Sequence, residues 1–220
     1  MCMEAATKDE VRDTDYFIIE RLIKEGVLTN VDPERLCSGN EFIFLQCADE
    51  KDTNTRDLEY LKRAGLDIKK SPSIITCIQP LGGILWLSPK SPIYKGKNPK
   101  YIEMVLDHYH EQFRLAPELT GKRVRCFRGH YPCKAADGLG IGIVEGLAIF
   151  HHGMETIKQR SQDVVKPAAG YHIQWDDCRA MQTWHLQRRE LYKLARDRAM
   201  IPHIFRDEQE FLRTQEFLRI

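Results

Sequence analysis

Between Glu41 and Lys158, short apolar runs alternate with longer stretches of helical spacing, and this alternation limits the possible folds more than any other feature. Glu41 to Gln46 is apolar from Phe42 through Leu45, as a strand covered on both faces should be. Ser73 to Ile78 and Arg123 to Phe127 read as further strands, and Ile84 to Leu87 as a short one beyond the turn Pro80-Leu81-Gly82-Gly83. Between the strands, a helix is expected from Asn54 or Thr55 to Gly65, with Asp57 and Glu59 in the first turn favouring the helix dipole. Asn98-Pro99 supplies a cap followed by proline at the first helical position. Ile102, Val105, Leu106, Tyr109 and Phe113 then fall on one face, and Pro117 and Gly121 close the segment. A last helix runs from about Leu139 to Lys158. Strands alternating with helices predict an α/β protein with a mainly parallel β-sheet covered by helices.

The flanks differ. Glu10 to Glu25 places Phe17, Ile18, Leu22, Ile19 and Ile23 on an apolar stripe that ends at Gly26. Leu28 to Asn40 reads as a loop with a turn of helix. Tyr171 to Trp175 is a candidate edge strand, Cys178 to Met200 an arginine-rich helix, and a short helix begins near Asp207. The expected organisation is an N-terminal helical arm over 1–40, an α/β core over 41–177, and a C-terminal helical segment over 178–220 packed on that core. A net charge of +1 makes no case for nucleic acid or membrane as a partner. Met1-Cys2-Met3-Glu4-Ala5-Ala6 lacks the basic-then-apolar order of a secretory signal. Seven scattered cysteines form no disulfide framework and point to reduced thiols in a cytoplasmic protein.

Two motifs carry chemistry. Cys47-Ala48-Asp49 follows the first strand, and His130-Tyr131-Pro132-Cys133 follows the third. Two thiolates and one imidazole suit tetrahedral zinc and leave a fourth position for water or a carboxylate. Asp49 is placed to compete for that position. In parallel sheets ligands bind beyond the carboxyl ends of the strands, where both motifs fall.

On these motifs the chain resembles the β-class carbonic anhydrases and their close relatives, over about Phe42 to Lys158. That family carries Cys-x-Asp-x-Arg after its first sheet strand and His-x-x-Cys after a later one. Ile78-Gln79-Pro80-Leu81-Gly82-Gly83 is similar to the strand-to-loop segment between them. The resemblance implies Zn(2+) held by Cys47, His130 and Cys133, with Asp49 as a catalytic residue or fourth ligand. It implies reversible hydration of carbon dioxide to bicarbonate by hydroxide supplied at the metal, and a homodimer or higher homo-oligomer in which the N-terminal helix reaches across the partner. The chain departs from the family at three places. Lys51 stands where the family has the arginine that draws the aspartate off the metal, and Lys lacks the bidentate fork. Arg56 is a candidate substitute. Ser88 to Lys97 reads as an insertion, and Lys134 replaces a small residue after the second cysteine. The expected enzyme is a carbonic anhydrase-like zinc lyase, with Asp49 and Lys51 as its catalytic pair. Hydrolysis of carbonyl sulfide or carbon disulfide at the same metal, and an inactive zinc-stabilised binding protein, stay open as alternatives.

Other features carry less. His108 and His110 diverge by about 200° on a helix and cannot easily share a metal. His151 and His152 diverge similarly, and neither pair is assigned a site. Gly138-Leu139-Gly140-Ile141-Gly142 fails as a dinucleotide loop because Ile143 occupies the position of the third glycine. The arginines of the C-terminal segment raise a nucleic-acid-binding alternative, but Glu190 and Asp197 interleave with them and favour a salt-bridged face.

Overall fold

A computed structural model describes residues 13–30, 40–45, 74–77, 85, 88, 90–94, 96, 98–120, 123–124, 126–131, 133–160, 168–173 and 182–219. Its helices are α1 (Asp13–Lys24), α2 (Pro99–Thr120), α3 (Lys134–Gly138), α4 (Ile143–Arg160), α5 (Arg188–Leu194), α6 (Ile201–Ile204) and α7 (Glu208–Leu218). Its strands are β1 (Leu28–Asn30), β2 (Asn40–Leu45), β3 (Ile74–Cys77), β4 (Arg123–Val124), β5 (Cys126–Tyr131), β6 (Ala168–Ile173) and β7 (Gln182–Leu186). Short 3-10 turns occupy Pro92–Tyr94 and Arg198–Met200.

The core is built around α4. Every residue from Ile141 to Met154 is buried, so this helix is enclosed on all sides and its neighbours are mostly other helices. Ile19 and Leu22 of α1 reach the same core, as do Leu191 and Leu194 of α5 and Phe211, Phe217 and Leu218 of α7. α1 packs against α4 and α6 of its own chain and leaves Tyr16 and Phe17 exposed, so the apolar stripe read from the sequence is narrower than expected. Gly26 ends α1 with a φ of 71°. Its N–H donates to Ile23 O, and Val27 N–H donates to Leu22 O, a pattern that satisfies the last carbonyls of the helix.

The expected fold class is overturned. Among the residues described to their side chains, 74% are helical, with one short strand and no sheet of their own. The ladders that exist are short and divide into a four-stranded order β1-β7-β6-β5 and a three-stranded order β3-β2-β4. The larger is mixed: β5–β6 is parallel, whereas β6–β7 and β7–β1 are antiparallel. One mainly parallel sheet covered by helices is therefore not what organises this chain; a fully buried helix is. Alternation of apolar runs suggested otherwise because it reports where strands fall and not how they are shared among sheets.

Three local readings change as well. Gln182–Leu186, expected inside a helix over Cys178 to Met200, is a strand that pairs with β1 and β6 on its two sides. Thr183 and Trp184 suit a pleated ladder better than a helix interior. Consequently the candidate edge strand near Tyr171 lies between two neighbours. Leu28–Asn30, expected as loop, is β1, and α2 runs through Pro117 to Thr120. Among the described residues, no helix is long and apolar enough to cross a membrane.

α4 and α7 are joined by two buried carboxylates. Glu145, in the first turn of α4, is fully buried and takes a bidentate pair from Arg213: Nε donates to Oε1 at 2.8 Å and an η nitrogen to Oε2 at 2.9 Å. The bond to Glu145 holds the Arg213 guanidinium protonated beyond its ordinary range. Glu210 of α7, also buried, accepts from Arg206 N at 2.7 Å and from Glu145 N at 3.4 Å. It thereby serves an otherwise unpartnered N–H at the start of α4. Burial raises its pKa above the ordinary carboxylate range.

Gly142 makes this contact possible, because a Cβ there would fall on the Glu210 carboxylate. Gly142→Ala should therefore displace Glu210 from its two N–H donors and cost about 2–3 kcal/mol. A thermal melt of the variant checks this; an unchanged midpoint would show that the carboxylate moves freely.

Candidate functional site

The structure reports on part of the expected metal site. Cys47, Asp49 and Lys51 lie outside the described residues, as does the expected helix from Asn54 to Gly65 with Arg56. His130 belongs to β5, since the strand extends to Tyr131 and past the expected limit at Phe127. Cys133 stands at the N-terminal boundary of α3, makes no side-chain capping bond to it, and is 7% exposed. β2 ends at Leu45, two positions before Cys47. β2 runs parallel to β4, with Asn40 beside Arg123 and Glu41 beside Val124. It also lies against β5, which follows β4 after a single residue. Among the described residues, no group of three or more His, Cys, Asp or Glu side chains gathers as a metal site.

A second polar centre was not expected from sequence. His151 and His152, on the buried stretch of α4, border a cavity of about 70 Å³ with Arg188, Tyr192, Phe217 and Arg219. The two rings are 8% and 6% exposed. His152 Nδ1 lies 2.8 Å from Ser88 Oγ. The segment read as an insertion thus reaches into the core: Ser88, Ser91 and Tyr94 are all buried. The His151 ring meets Tyr192 edge-on at 5.9 Å, and Phe217 meets His152 at 6.3 Å.

The electrostatics disfavour protonation of both rings. Burial, then Arg188, then the neighbouring His152 lower His151 to about 4. Burial, then Lys90, then Arg219 lower His152 to about 4. The signal for this centre was available: two histidines inside the run Ile141 to Met154 are buried wherever that run is buried all round. What the sequence hid was Ser88 as the partner, 64 positions away.

The arginine-rich C-terminal segment is salt-bridged, but the acidic partners of Arg188 and Arg198 lie outside it, and Asp197 instead accepts from Ala199 N at 2.9 Å. Lys193 pairs with Glu190 at 2.6 Å, Arg188 with Glu155 at 3.6 Å, and Arg198 with Glu208.

No protein-family model matches the chain, and neither a curated protein nor a solved structure matches it.

Proposed function

We propose that the chain holds zinc through Cys47, His130 and Cys133 and catalyses the reversible hydration of carbon dioxide to bicarbonate. The observation that supports this reading is strand direction. β2 leads toward Cys47 in the same sense as the parallel β4, and β5 carries His130 and delivers the buried Cys133. Two thiols and an imidazole are a donor set that fits the ion. The two motifs, similar to those of the β-class carbonic anhydrases, supply the choice of reaction.

When bound, zinc would supply a water more acidic than bulk water, though less acidic beside two thiolates than beside three neutral imidazoles. Cys47 and Cys133 serve as thiolates and His130 as a neutral imidazole. Asp49 would accept the proton of that water or hold its hydrogen bond. Either Lys51 or Arg56 would supply charge to the Asp49 carboxylate, and of the two only Arg56 offers the two-pronged contact of the family's arginine. Two thiolates offset the charge of the ion, so activity rises toward alkaline pH. A cytoplasmic setting, where thiols stay reduced, suits both cysteine ligands.

Stopped-flow hydration of carbon dioxide from neutral to alkaline pH tests this. The expected result is a rate that climbs with pH and falls by roughly 10²-fold or more in Asp49→Ala. A rate at the buffer background throughout, in protein that contains zinc, would remove the reaction and leave a zinc-stabilised binding protein.

A further inference from the structure

His152 Nε2 is buried and has no hydrogen-bond partner among the described residues, although its ring borders a cavity. An unmet polar atom in a core is costly, and such atoms in native proteins serve water or a ligand. The other ring nitrogen bears on its chemistry. The Ser88 contact to Nδ1 is compatible with either tautomer; in the one where the Ser88 hydroxyl donates, the neutral ring carries its proton on Nε2 as a buried donor beside the cavity. The charged groups nearby are mostly cationic. Arg188 of α5 and Arg219 after α7 line the cavity, and Lys90 acts on His152 from the Ser88 segment. Glu155 is the acidic group among the lining residues, 3.6 Å from Arg188. Arg219 holds a left-handed backbone with a φ of 56°, a conformation that costs a non-glycine residue about 1–2 kcal/mol.

From this arrangement we propose that the cavity between α4, α5 and the end of α7 binds a small oxyanion, the phosphate or carboxylate group of a ligand. His152 Nε2–H donates to one oxygen, and the Arg188 and Arg219 guanidinium groups neutralise the charge. A metal ion is disfavoured there, because it would sit among cations. The site uses none of the residues assigned to zinc, so it stands or falls apart from that reading. A bound anion also offsets the Arg188, Lys90 and Arg219 charges that add to burial in keeping both histidines neutral, so their pKa values rise on binding.

The test is long-range ¹⁵N NMR of the histidine rings in the full chain, titrated separately with sodium phosphate and sodium acetate against sodium chloride. The expected result is a saturable shift of His152 Nε2 with phosphate, acetate or both, which also separates the two sources of the group. His152→Asn keeps a polar group facing Ser88 but lacks the Nε2 donor, and should bind about tenfold or more weakly. Arg219→Gly removes a charge at a position where glycine is the favoured residue, so it folds and should weaken binding similarly. Arg219→Gly decides the matter should His152→Asn not fold. No shift beyond the chloride control, or Arg219→Gly binding as tightly as wild type, would overturn the proposal.

Discussion

Arg213→Ala should destabilise the protein by about 3–5 kcal/mol, because it leaves the fully buried Glu145 carboxylate without its bidentate partner. The loss is larger than a surface ion pair would suggest. Arg213 itself is 41% exposed, but Glu145 is not exposed at all, and the cost of an unpaired charge falls on the buried partner. Glu210, a second buried carboxylate, lies close enough to accept from the Glu145 backbone N–H and adds to the penalty. Glu145→Leu combined with Arg213→Met should regain most of the stability, since well-packed apolar groups often replace a buried pair without loss. Urea titrations of the single and double variants check this. An Arg213→Ala protein within about 1 kcal/mol of wild type, the range of an exposed pair, would show that this clamp does not hold α4 to α7.

Acidification should be the second large effect. His151 and His152 titrate near 4 in the folded chain against an ordinary value of 6.5. Below 6.5 the unfolded chain takes up protons that the native rings refuse. The stability these groups contribute is therefore complete above 6.5 and is lost as pH falls toward 4. The two adjacent rings act on each other, so together they account for a loss on the order of 2 kcal/mol between roughly pH 7 and pH 5 and a drop in melting temperature of about 5 °C. The groups that face the rings are Arg188 and Tyr192 of α5, Arg219 beyond α7, Lys90 on the Ser88 segment and Glu155 on α4 itself. Glu210 works in the opposite sense. Its raised pKa makes the native state the better proton acceptor just above the usual carboxylate range, so acidification stabilises through that group there. Thermal melts of wild type and of a His151→Asn, His152→Asn double variant distinguish the contributions. Equal acid losses in both proteins would place the sensitivity elsewhere.

Local elements were legible wherever the signal was local. Asn98 caps α2 as read, its Oδ1 accepting from Lys100 N at 2.9 Å. Asp207 likewise caps α7 by accepting from Glu210 N at 2.7 Å. β2 and β3 fall within a residue or two of the apolar runs that predicted them. Assembly was not legible. The division of strands between two sheets depends on partners far apart in sequence, and Gln182–Leu186 became a strand because β1 and β6 flank it. The same reason hid the Ser88–His152 contact and the fit of Glu210 against Gly142. The Cys-x-Asp and His-x-x-Cys motifs proposed to hold zinc stood out in the sequence because their residue types and spacing are themselves the signal. The histidine cavity has no such spacing, because α4, α5, α7 and the Ser88 segment each bring part of it.

The most direct measurement of the central claim is metal analysis of the purified full chain beside Cys47→Ser and Cys133→Ser. The account predicts stoichiometric zinc in the wild-type protein and its loss in both variants. Wild-type protein without zinc, or variants that retain it fully, would contradict the account.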